Sequence, residues 1–282
     1  MGRSPFAGKT AIVMGGGSGI GTALGAELVS RGAHVVLADI DGATADAAAK
    51  ALAGRVSPSG SISAARLDVR DLAAVRAVVD DVASSHGRLD LLFNNAGISM
   101  GGNTNDLEEA HWDRIIDVNI KGVVNGLLAA YPLMVAQGEG HIVNTASAAG
   151  LAPAVFTVAY TATKHAVVGL STALRPEAAL RGVRLSVLCP GAVETPILDR
   201  GAPTDLPPGA NAMTAREYLR IVRLSPMPAD RFARRALRGV ARNKAIIVVP
   251  GSARAVWYLH RLSPAAVDHI GRYTARRVLR KL

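Results

Sequence analysis

Short apolar runs alternate with longer, helix-like segments along most of the chain. The runs are rich in valine, isoleucine and leucine and end at glycine, proline or asparagine, a pattern typical of buried strands. Seven such strands are predicted, at residues 10–14, 33–39, 61–68, 89–93, 141–147, 183–188 and 245–249.

The segments between these strands carry their apolar residues at helical spacing. Helices are predicted from the glycine cluster at 15–21 to Gly32, and over residues 42–52, 72–85, 107–112, 115–136, from around Tyr160 to 181, and 229–242. This alternation gives right-handed βαβ units. The predicted fold class is therefore α/β, a doubly wound (Rossmann-type), mostly parallel sheet of about seven strands with helices on both faces. Ligands of such sheets bind at the carboxyl ends of the strands.

Two stretches depart from this alternation. Residues 195–228 contain six prolines. Because this stretch is long for a simple connection, it predicts a mobile lid or substrate loop. Residues 251–282 follow the last strand and predict a basic helical extension. We therefore expect a single domain over residues 1–250, followed by that extension.

Composition narrows the class of protein. Of 282 residues, 49% are hydrophobic and one is cysteine, Cys189. The chain can bury a sizeable core but cannot form an intrachain disulfide or a cysteine-based metal site. The histidines lack the spacing of metal ligands, so no metal is expected. No secretory signal or uninterrupted apolar run of about 18 residues is present. A cytoplasmic protein is expected, with attachment to a membrane surface left open.

The positive charge is concentrated in the last quarter of the chain. Residues 214–282 hold 16 Lys/Arg against 3 Asp/Glu, whereas residues 1–213 hold 16 against 19. In the extension Val267, Ile270, Val278 and Leu282 share one helical face, with arginines largely off it and Trp257 nearby. Such a helix could lie on an anionic membrane surface. The favoured alternative is that its apolar stripe packs against its own subunit or a neighbour. No nucleic-acid recognition motif is visible.

The glycine cluster predicts a dinucleotide site. Residues 15–21 place glycines between a strand and a helix, where backbone amides at a helix N-terminus can hold a pyrophosphate. Asp39 follows Gly21 by 18 positions, at the end of the second strand. Its carboxylate can accept hydrogen bonds from ribose hydroxyls and would repel a 2′-phosphate, which favours NAD over NADP. The alternative for Asp39 is a carboxylate at a helix N-terminus.

A second candidate site lies around Tyr160 and Lys164. Residues four apart on a helix share a face, so the ammonium can lower the phenol pKa toward neutrality. Ser147 ends the fifth predicted strand and brings a hydroxyl to the same edge of the sheet. These three side chains could act in acid/base chemistry. Each also has an ordinary structural alternative: an amphipathic helix tyrosine, a solvated lysine and a strand-end serine.

Taken together, these residues resemble the short-chain dehydrogenase/reductase family. The glycine spacing is that family's G-x-x-x-G-I-G, and Asn94-Asn95-Ala96-Gly97 follows the fourth strand. The resemblance runs from about residue 10 to 249 and includes Asn119, Ser147, Tyr160, Lys164 and the run 190–195. Two residues depart from the pattern. Met14 replaces a usual threonine, and Pro176 should kink the Tyr160 helix.

The resemblance implies roles for individual residues. Ser147 would bind the substrate oxygen and Tyr160 would transfer the proton. Lys164 would lower the pKa of the phenol and hydrogen-bond the nicotinamide ribose. Asn119 would hold a water that links Lys164 to solvent. The cofactor would contact Gly15, Gly17, Ser18, Gly19, Ile20, Gly21, Asp39, Ile40, Asp68, Val69, Asn95, Ala96, Gly97, Thr145, Tyr160, Lys164, Pro190, Gly191, Val193 and Thr195.

The function expected is NAD(H)-dependent interconversion of a secondary alcohol and a ketone on a fairly apolar molecule, and lipid-, terpenoid- and steroid-like skeletons all fit this description. Residues 151–156, 98–100 and the loop after Thr195 would line the substrate pocket. The alternative is a non-catalytic nucleotide-binding or sensing protein on the same fold. The resemblance also implies a homodimer or homotetramer.

Overall fold

The computed structural model describes residues 4–200, 203, 205–206 and 214–280. Its strands are β1 (Thr10–Met14), β2 (His34–Asp39), β3 (Ser61–Arg66), β4 (Leu91–Asn94), β5 (Gly140–Thr145), β6 (Val183–Pro190), β7 (Val193–Glu194), β8 (Met227–Pro228) and β9 (Ile246–Val249). Its helices are α1 (Gly19–Val29), α2 (Gly42–Leu52), α3 (Leu72–His86), α4 (Glu109–Ile116), α5 (Gly122–Gln137), α6 (Val158–Ala179), α7 (Ala215–Ile221), α8 (Ala229–Ala241), α9 (Gly251–Leu262) and α10 (Pro264–Leu279).

Seven strands form one sheet in the order β3-β2-β1-β4-β5-β6-β9. Every neighbouring pair in it is parallel. The chain moves outward from β1 in one direction to β3 and then in the other to β9, so the order reverses between β1 and β4. The predicted doubly wound α/β fold is confirmed, and ligands of such sheets bind beside that reversal.

The two faces of the sheet are covered by different helices. One apolar core joins the strands to α1, α2 and α8, and the other joins them to α3, α5 and α6. Apart from the edge strand β3, whose residues are exposed or partly exposed, the strands of this sheet are mostly buried on both faces, as parallel strands usually are. Val13 and Phe93 belong to the first core, while Ile12 and Leu92 belong to the second. This alternation along each strand fixes its register.

The structure adds elements that the hydrophobic pattern did not predict. The helix expected over 115–136 is interrupted by a π-helical turn at Asp117–Lys121. Two short strands, β7 and β8, pair in parallel beside the main sheet. α6 continues through Pro176, which lies inside the helix.

The predicted loop at 195–228 is described only in part. Residues 201–202, 204 and 207–213, with Pro207 and Pro208 among them, lie outside the described residues. The described part contains the helix α7 and the strand β8. Its predicted role as a mobile lid stays a prediction.

The helical run Glu109–Gln137 is long and apolar enough, by length and composition, to cross a membrane. Core helices of soluble proteins pass the same test. In this fold α5 packs against α3 and the strands β4 and β5.

The predicted C-terminal helical extension is present as α9 and α10. α9 packs against β9, and α10 packs against α9 and α7. Val267 and Val278 of the predicted stripe are buried, whereas Ile270 is 52% exposed. Leu282 lies outside the described residues. Val267 and Val278 therefore pack on their own subunit, and the expectation that a neighbour covers the rest of the stripe stays a prediction.

Candidate active site

Three predicted catalytic side chains meet at the carboxyl end of β5. Ser147 lies just beyond this strand, and its hydroxyl is close enough to the phenol of Tyr160 to favour the phenolate. Lys164 lies one turn further along α6, with its Nζ 5.5 Å from the centroid of the Tyr160 ring. The shared helix face predicted from the four-residue spacing is therefore present.

Burial changes the pKa values of this group in opposite directions, because it disfavours whichever form is charged. It raises the pKa of Tyr160, against the lowering effect of the nearby Ser147 hydroxyl. It lowers the pKa of Lys164 to about 8. The pKa of Tyr160 is thus raised and not lowered overall, because desolvation of the phenol is the largest effect. The lowering effect predicted for Lys164 itself stays a prediction.

Asn119 lies in the π-helical turn between α4 and α5. Its buried Oδ1 accepts a hydrogen bond from the Ile98 N–H at 2.9 Å. Its Nδ2 donates to the Ile98 carbonyl at 3.0 Å and to the Thr163 hydroxyl at 3.1 Å. The amide thus fastens the loop after β4 to α6, one residue before Lys164. π-helical turns are frequent at functional sites. The water relay implied by the family resemblance stays a prediction.

The glycine cluster folds into a tight turn between β1 and α1. Gly15 has φ +72° and Gly19 has φ +55°, conformations that favour glycine. A Cβ at Gly21 would lie 1.9 Å from the Gly15 carbonyl oxygen, and one at Gly17 would lie 3.0 Å from Asp39 Oδ2. A side chain therefore has no room at these positions of the turn before α1. Backbone N–H groups at the N-terminus of a helix suit the pyrophosphate of a dinucleotide.

Asp39 faces this turn from the end of β2. The Gly17 N–H donates to its Oδ2 at 3.0 Å, and the Asp41 N–H donates to its Oδ1 at 3.3 Å. The N-terminus of α2 is capped by Asp41, whose carboxylate accepts from the Thr44 N–H at 3.1 Å. Asp39 is thus not the capping residue of α2, and its carboxylate stands beside the glycine turn.

A chain of hydrogen bonds joins the glycine turn to the catalytic group. Asn95 Nδ2 donates to the Gly15 carbonyl at 3.2 Å, and its Oδ1 accepts from the Thr145 hydroxyl at 3.2 Å. The Thr145 carbonyl in turn accepts from Lys164 Nζ at 3.2 Å. Lys164 Nζ also lies close to Gly97, where a Cβ would be 3.3 Å away. β1, β4, β5 and α6 are thereby connected by polar contacts at one edge.

Three residues expected to contact the cofactor, Ile40, Asp68 and Val69, differ in exposure and in their hydrogen-bond partners. Ile40 is 56% exposed just beyond β2, so its side chain is accessible. Val69 is buried, and its carbonyl accepts from Asn125 Nδ2 at 2.8 Å. The Asp68 carboxylate pairs with the Arg70 guanidinium at 2.6 Å, and this pairing holds the pKa of Asp68 below its usual range.

The remaining predicted cofactor residues line both sides of the turn. Gly15 packs closely on Ala96, since a Cβ there would lie 2.7 Å from the Ala96 Cα. Ser18 and Ile20 flank the start of α1. Thr195 approaches from the other side, because a Cβ at Gly19 would lie 3.0 Å from its Cγ2. Its neighbours Pro190, Gly191 and Val193 lie at the end of β6 and in β7.

Cys189 lies in β6 as a fully buried side chain. Its thiol is close to Ser147 and Lys164, which the sequence did not indicate. Burial raises the pKa of this thiol to about 12. The pairing of β6 with β5 could have suggested this neighbourhood, because Thr145 lies opposite Leu188.

The predicted substrate segments adjoin the catalytic group on its apolar side. Met100 and Ala159 are buried in a small cluster against which Ile98 and Tyr160 pack, together with Leu206 of the loop after Thr195. Leu151 and Ala152 are also buried.

An open cavity of about 560 Å³ lies beside these segments. Its wall includes Phe156, Thr161 and Ala275 of α10. The Phe156 carbonyl accepts from the Gly102 N–H at 2.9 Å, which joins the predicted pocket segment 151–156 to the chain just beyond the segment 98–100. The sequence did not predict that α10 reaches this region.

Charged pairs hold the loop after Thr195 in place. Arg114 of α4 pairs with Asp205 at 2.7 Å. Arg216 of α7 pairs with Glu194 and Asp199, which flank Thr195. Among the described residues, no group of three or more His, Cys, Asp or Glu side chains is placed to hold a metal ion.

Comparison with known proteins agrees with this geometry. Residues 9–205 match the short chain dehydrogenase family. SadH of Mycobacterium tuberculosis, a protein named as an oxidoreductase, is 37% identical over 271 residues, 95% of each chain. A short-chain dehydrogenase/reductase of Burkholderia phymatum, solved in complex with NAD, is 32% identical with a TM-score of 0.81, over 93% of this chain and 95% of its own.

Levodione reductase of Leifsonia aquatica is 33% identical over 217 residues, 77% of this chain and 80% of its own. The chain belongs to the short-chain dehydrogenase/reductase family of oxidoreductases. The dinucleotide that its glycine turn fits is a nicotinamide cofactor.

Proposed function

We propose that the protein is an NAD(H)-dependent oxidoreductase that interconverts a secondary alcohol and a ketone on a fairly apolar small molecule. The observation that carries this proposal is the placement of Ser147 and Tyr160 next to each other and to the buried Lys164, at the sheet edge that also holds the glycine turn. A nicotinamide cofactor bound there supplies or accepts the hydride.

Each side chain has a defined task in this proposal. The Ser147 hydroxyl donates a hydrogen bond to the substrate oxygen and stabilises the charge that develops on it. The Tyr160 phenol exchanges a proton with the same oxygen. Lys164 is held by the Thr145 carbonyl, and its ammonium grips the nicotinamide ribose. Asn119 keeps α6 in register with the loop after β4.

Burial raises the pKa of Tyr160, so its phenol is in the acid form at neutral pH. In that form it can donate a proton, as reduction of a ketone requires. Oxidation of an alcohol needs the phenolate, whose population grows as pH rises toward the raised pKa. We therefore expect the rate of alcohol oxidation to increase with pH.

The preference for NAD is supported by Asp39. Its carboxylate stands at the glycine turn, and residues 15–21 contain no Lys or Arg that could pair with a 2′-phosphate. A carboxylate in this position is suited to accept hydrogen bonds from ribose hydroxyls. An apolar ketone as substrate is supported by the buried Met100 and Leu151 beside Tyr160, and by the name of the related levodione reductase.

The proposal is tested by replacing Tyr160 with phenylalanine. With NADH and a panel of cyclic and open-chain ketones, the wild type should oxidise NADH. Tyr160→Phe should lower kcat by about 10³-fold while NADH affinity stays unchanged, because only the proton donor is lost.

Tyr131→Phe, a change on α5, serves as the matched control and should keep full activity. Turnover of the Tyr160→Phe variant within a few-fold of wild type would place the acid elsewhere. NADH binding by a wild type that reduces no ketone would favour a nucleotide-binding protein without catalysis.

A further inference from the structure

α9 exposes an apolar face to solvent. Four large apolar side chains on this helix are exposed: Val256 by 49%, Tyr258 by 51%, Leu259 by 38% and Leu262 by 85%. At about 100° per residue they fall on one side of the helix, within an arc of about 160°. We call these four residues the α9 face. A group of exposed apolar side chains on one side of a helix marks a site of interaction with a membrane or another protein.

The opposite side of α9 holds the helix on the protein. Ala253 and Trp257 pack against the core that α3, α5 and α6 share with the sheet. His260 Nδ1 lies 3.2 Å from the Leu151 carbonyl oxygen. The orientation of α9 is thus fixed by contacts on its inner side, and the α9 face cannot turn inward without breaking them.

α10 continues from α9 after a single residue and carries an exposed basic side. Arg276 and Arg280 are exposed and form no ion pair with any residue that the structure describes. Arg272 pairs with Asp268 on its own helix, and Arg277 lies over the Tyr273 ring. Residues 251–280 hold 6 Arg against 1 Asp, an excess of 5 positive charges.

These two surfaces together fit an anionic bilayer. Apolar side chains on an interfacial helix enter the boundary between headgroups and acyl chains, and neighbouring arginines attract anionic lipids. A second copy of the chain would cover the α9 face but would bring its own excess of arginines close to the first, which is unfavourable. We propose that α9 and α10 dock the protein on an anionic membrane surface, with the α9 face inserted and the α10 arginines at the headgroups.

Vesicle flotation of the full chain tests this. The wild type should float with vesicles of phosphatidylcholine containing about 30% phosphatidylglycerol and remain below with phosphatidylcholine alone. Raising the salt concentration should weaken the binding, since it screens the arginines. Leu259→Ser with Leu262→Ser should lower partitioning by about tenfold or more, because it removes apolar area from the face. Arg276→Glu with Arg280→Glu should lower it to a similar extent.

The matched control is Leu180→Ser. Leu180 is 90% exposed at the end of α6, close to the amino end of β6, whereas α9 and α10 follow the carboxyl end of β9. This variant should float like the wild type. NADH oxidation by all variants in the absence of vesicles should be unchanged, which shows that they fold.

Three results would overturn the proposal. The wild type could fail to float with anionic vesicles, or the Leu259/Leu262 variant could float as well as the control. Alternatively, light scattering after size exclusion could show a dimer that this variant converts to a monomer while neither protein binds vesicles. The last result would assign the α9 face to a second copy.

Discussion

The carboxyl edge of the sheet and the C-terminal helices differ in the burial of their polar and charged side chains. At the edge, most buried polar groups have a specific partner, as with Asn119 and its contacts to Ile98 and Thr163, although Asn94 Oδ1 has none among the described residues. Around α7, α9 and α10, charged pairs are exposed and Leu262 is almost fully exposed. A buried polar group without its partner is costly, whereas an exposed ion pair contributes little. Geometry should therefore be rigid at the edge and adjustable around the C-terminal helices.

The largest expected effect on cofactor binding comes from filling the glycine turn. In Gly21→Ala the new Cβ would meet the Gly15 carbonyl oxygen, a backbone atom that cannot move aside. We expect NADH affinity to fall about 100-fold or more, since overpacking displaces the turn. Fluorescence titration of NADH measures this.

Gly169→Ala in α6 is the control, because a Cβ there meets nothing within 4 Å. It should bind NADH normally and be slightly more stable, as alanine favours helices. Equal affinities for both variants would show that the turn does not hold the cofactor tightly.

The next effect concerns a buried histidine at the other end of β5. Burial, with the positive charges of Arg184 and Arg175, lowers the pKa of His141 to about 3. Its Nε2 lies 2.9 Å from the Ser186 hydroxyl, which donates to the Lys244 carbonyl, so Nε2 carries the hydrogen.

Below pH 6.5 the unfolded chain binds a proton at His141 while the folded chain does not. The contribution of the neutral His141 ring to the free energy of unfolding is thus fully present above pH 6.5. It is lost as pH falls toward 3, by up to about 1.4 kcal/mol per pH unit. Urea unfolding at several pH values should show a flatter dependence for His141→Gln. The exposed His165→Gln should follow the wild type, and identical slopes for all three would mean that His141 is protonated in the fold.

A smaller effect is expected at Asp39. Asp39→Asn should raise the KM for NAD roughly tenfold, since it removes a charged hydrogen-bond acceptor. The ratio of the KM for NADP to the KM for NAD should therefore fall. Steady-state kinetics with both cofactors measures this. Asp46→Asn, an exposed change on α2, is the control. An unchanged ratio of the two KM values would assign cofactor choice to other residues.

The smallest effect is expected in the exposed region. Arg216→Ala removes the pairs with Glu194 and Asp199 that hold α7 beside Thr195. We expect the KM for a ketone to rise a few-fold with kcat unchanged, because these exposed pairs position the loop without touching the reacting atoms. Arg220→Ala on the same helix should have no effect. A loss of kcat in Arg216→Ala as large as that in Tyr160→Phe would show that α7 contributes to catalysis itself, against the proposed difference between the carboxyl edge and the C-terminal helices.

Much of the fold could be predicted because it depends on local patterns. The apolar runs and glycines located all seven strands of the main sheet to within a few residues. β7 and β8 were not predicted, since two residues each are too short to show a period. The π-helical turn at Asn119 was missed because an extra residue in a helix leaves little trace in apolar spacing.

The sequence by itself determined which chemical groups the site contains and that they would meet at one sheet edge. Strand order and helix spacing are properties of consecutive residues, so Ser147, Tyr160 and Lys164 could be placed together. Only the tertiary structure decided whether the pKa of Tyr160 is raised or lowered and which residues bind Asn119, because both depend on neighbours distant in the chain. It also decided that α9 turns its apolar face outward, since which side of a helix is covered depends on what packs against it.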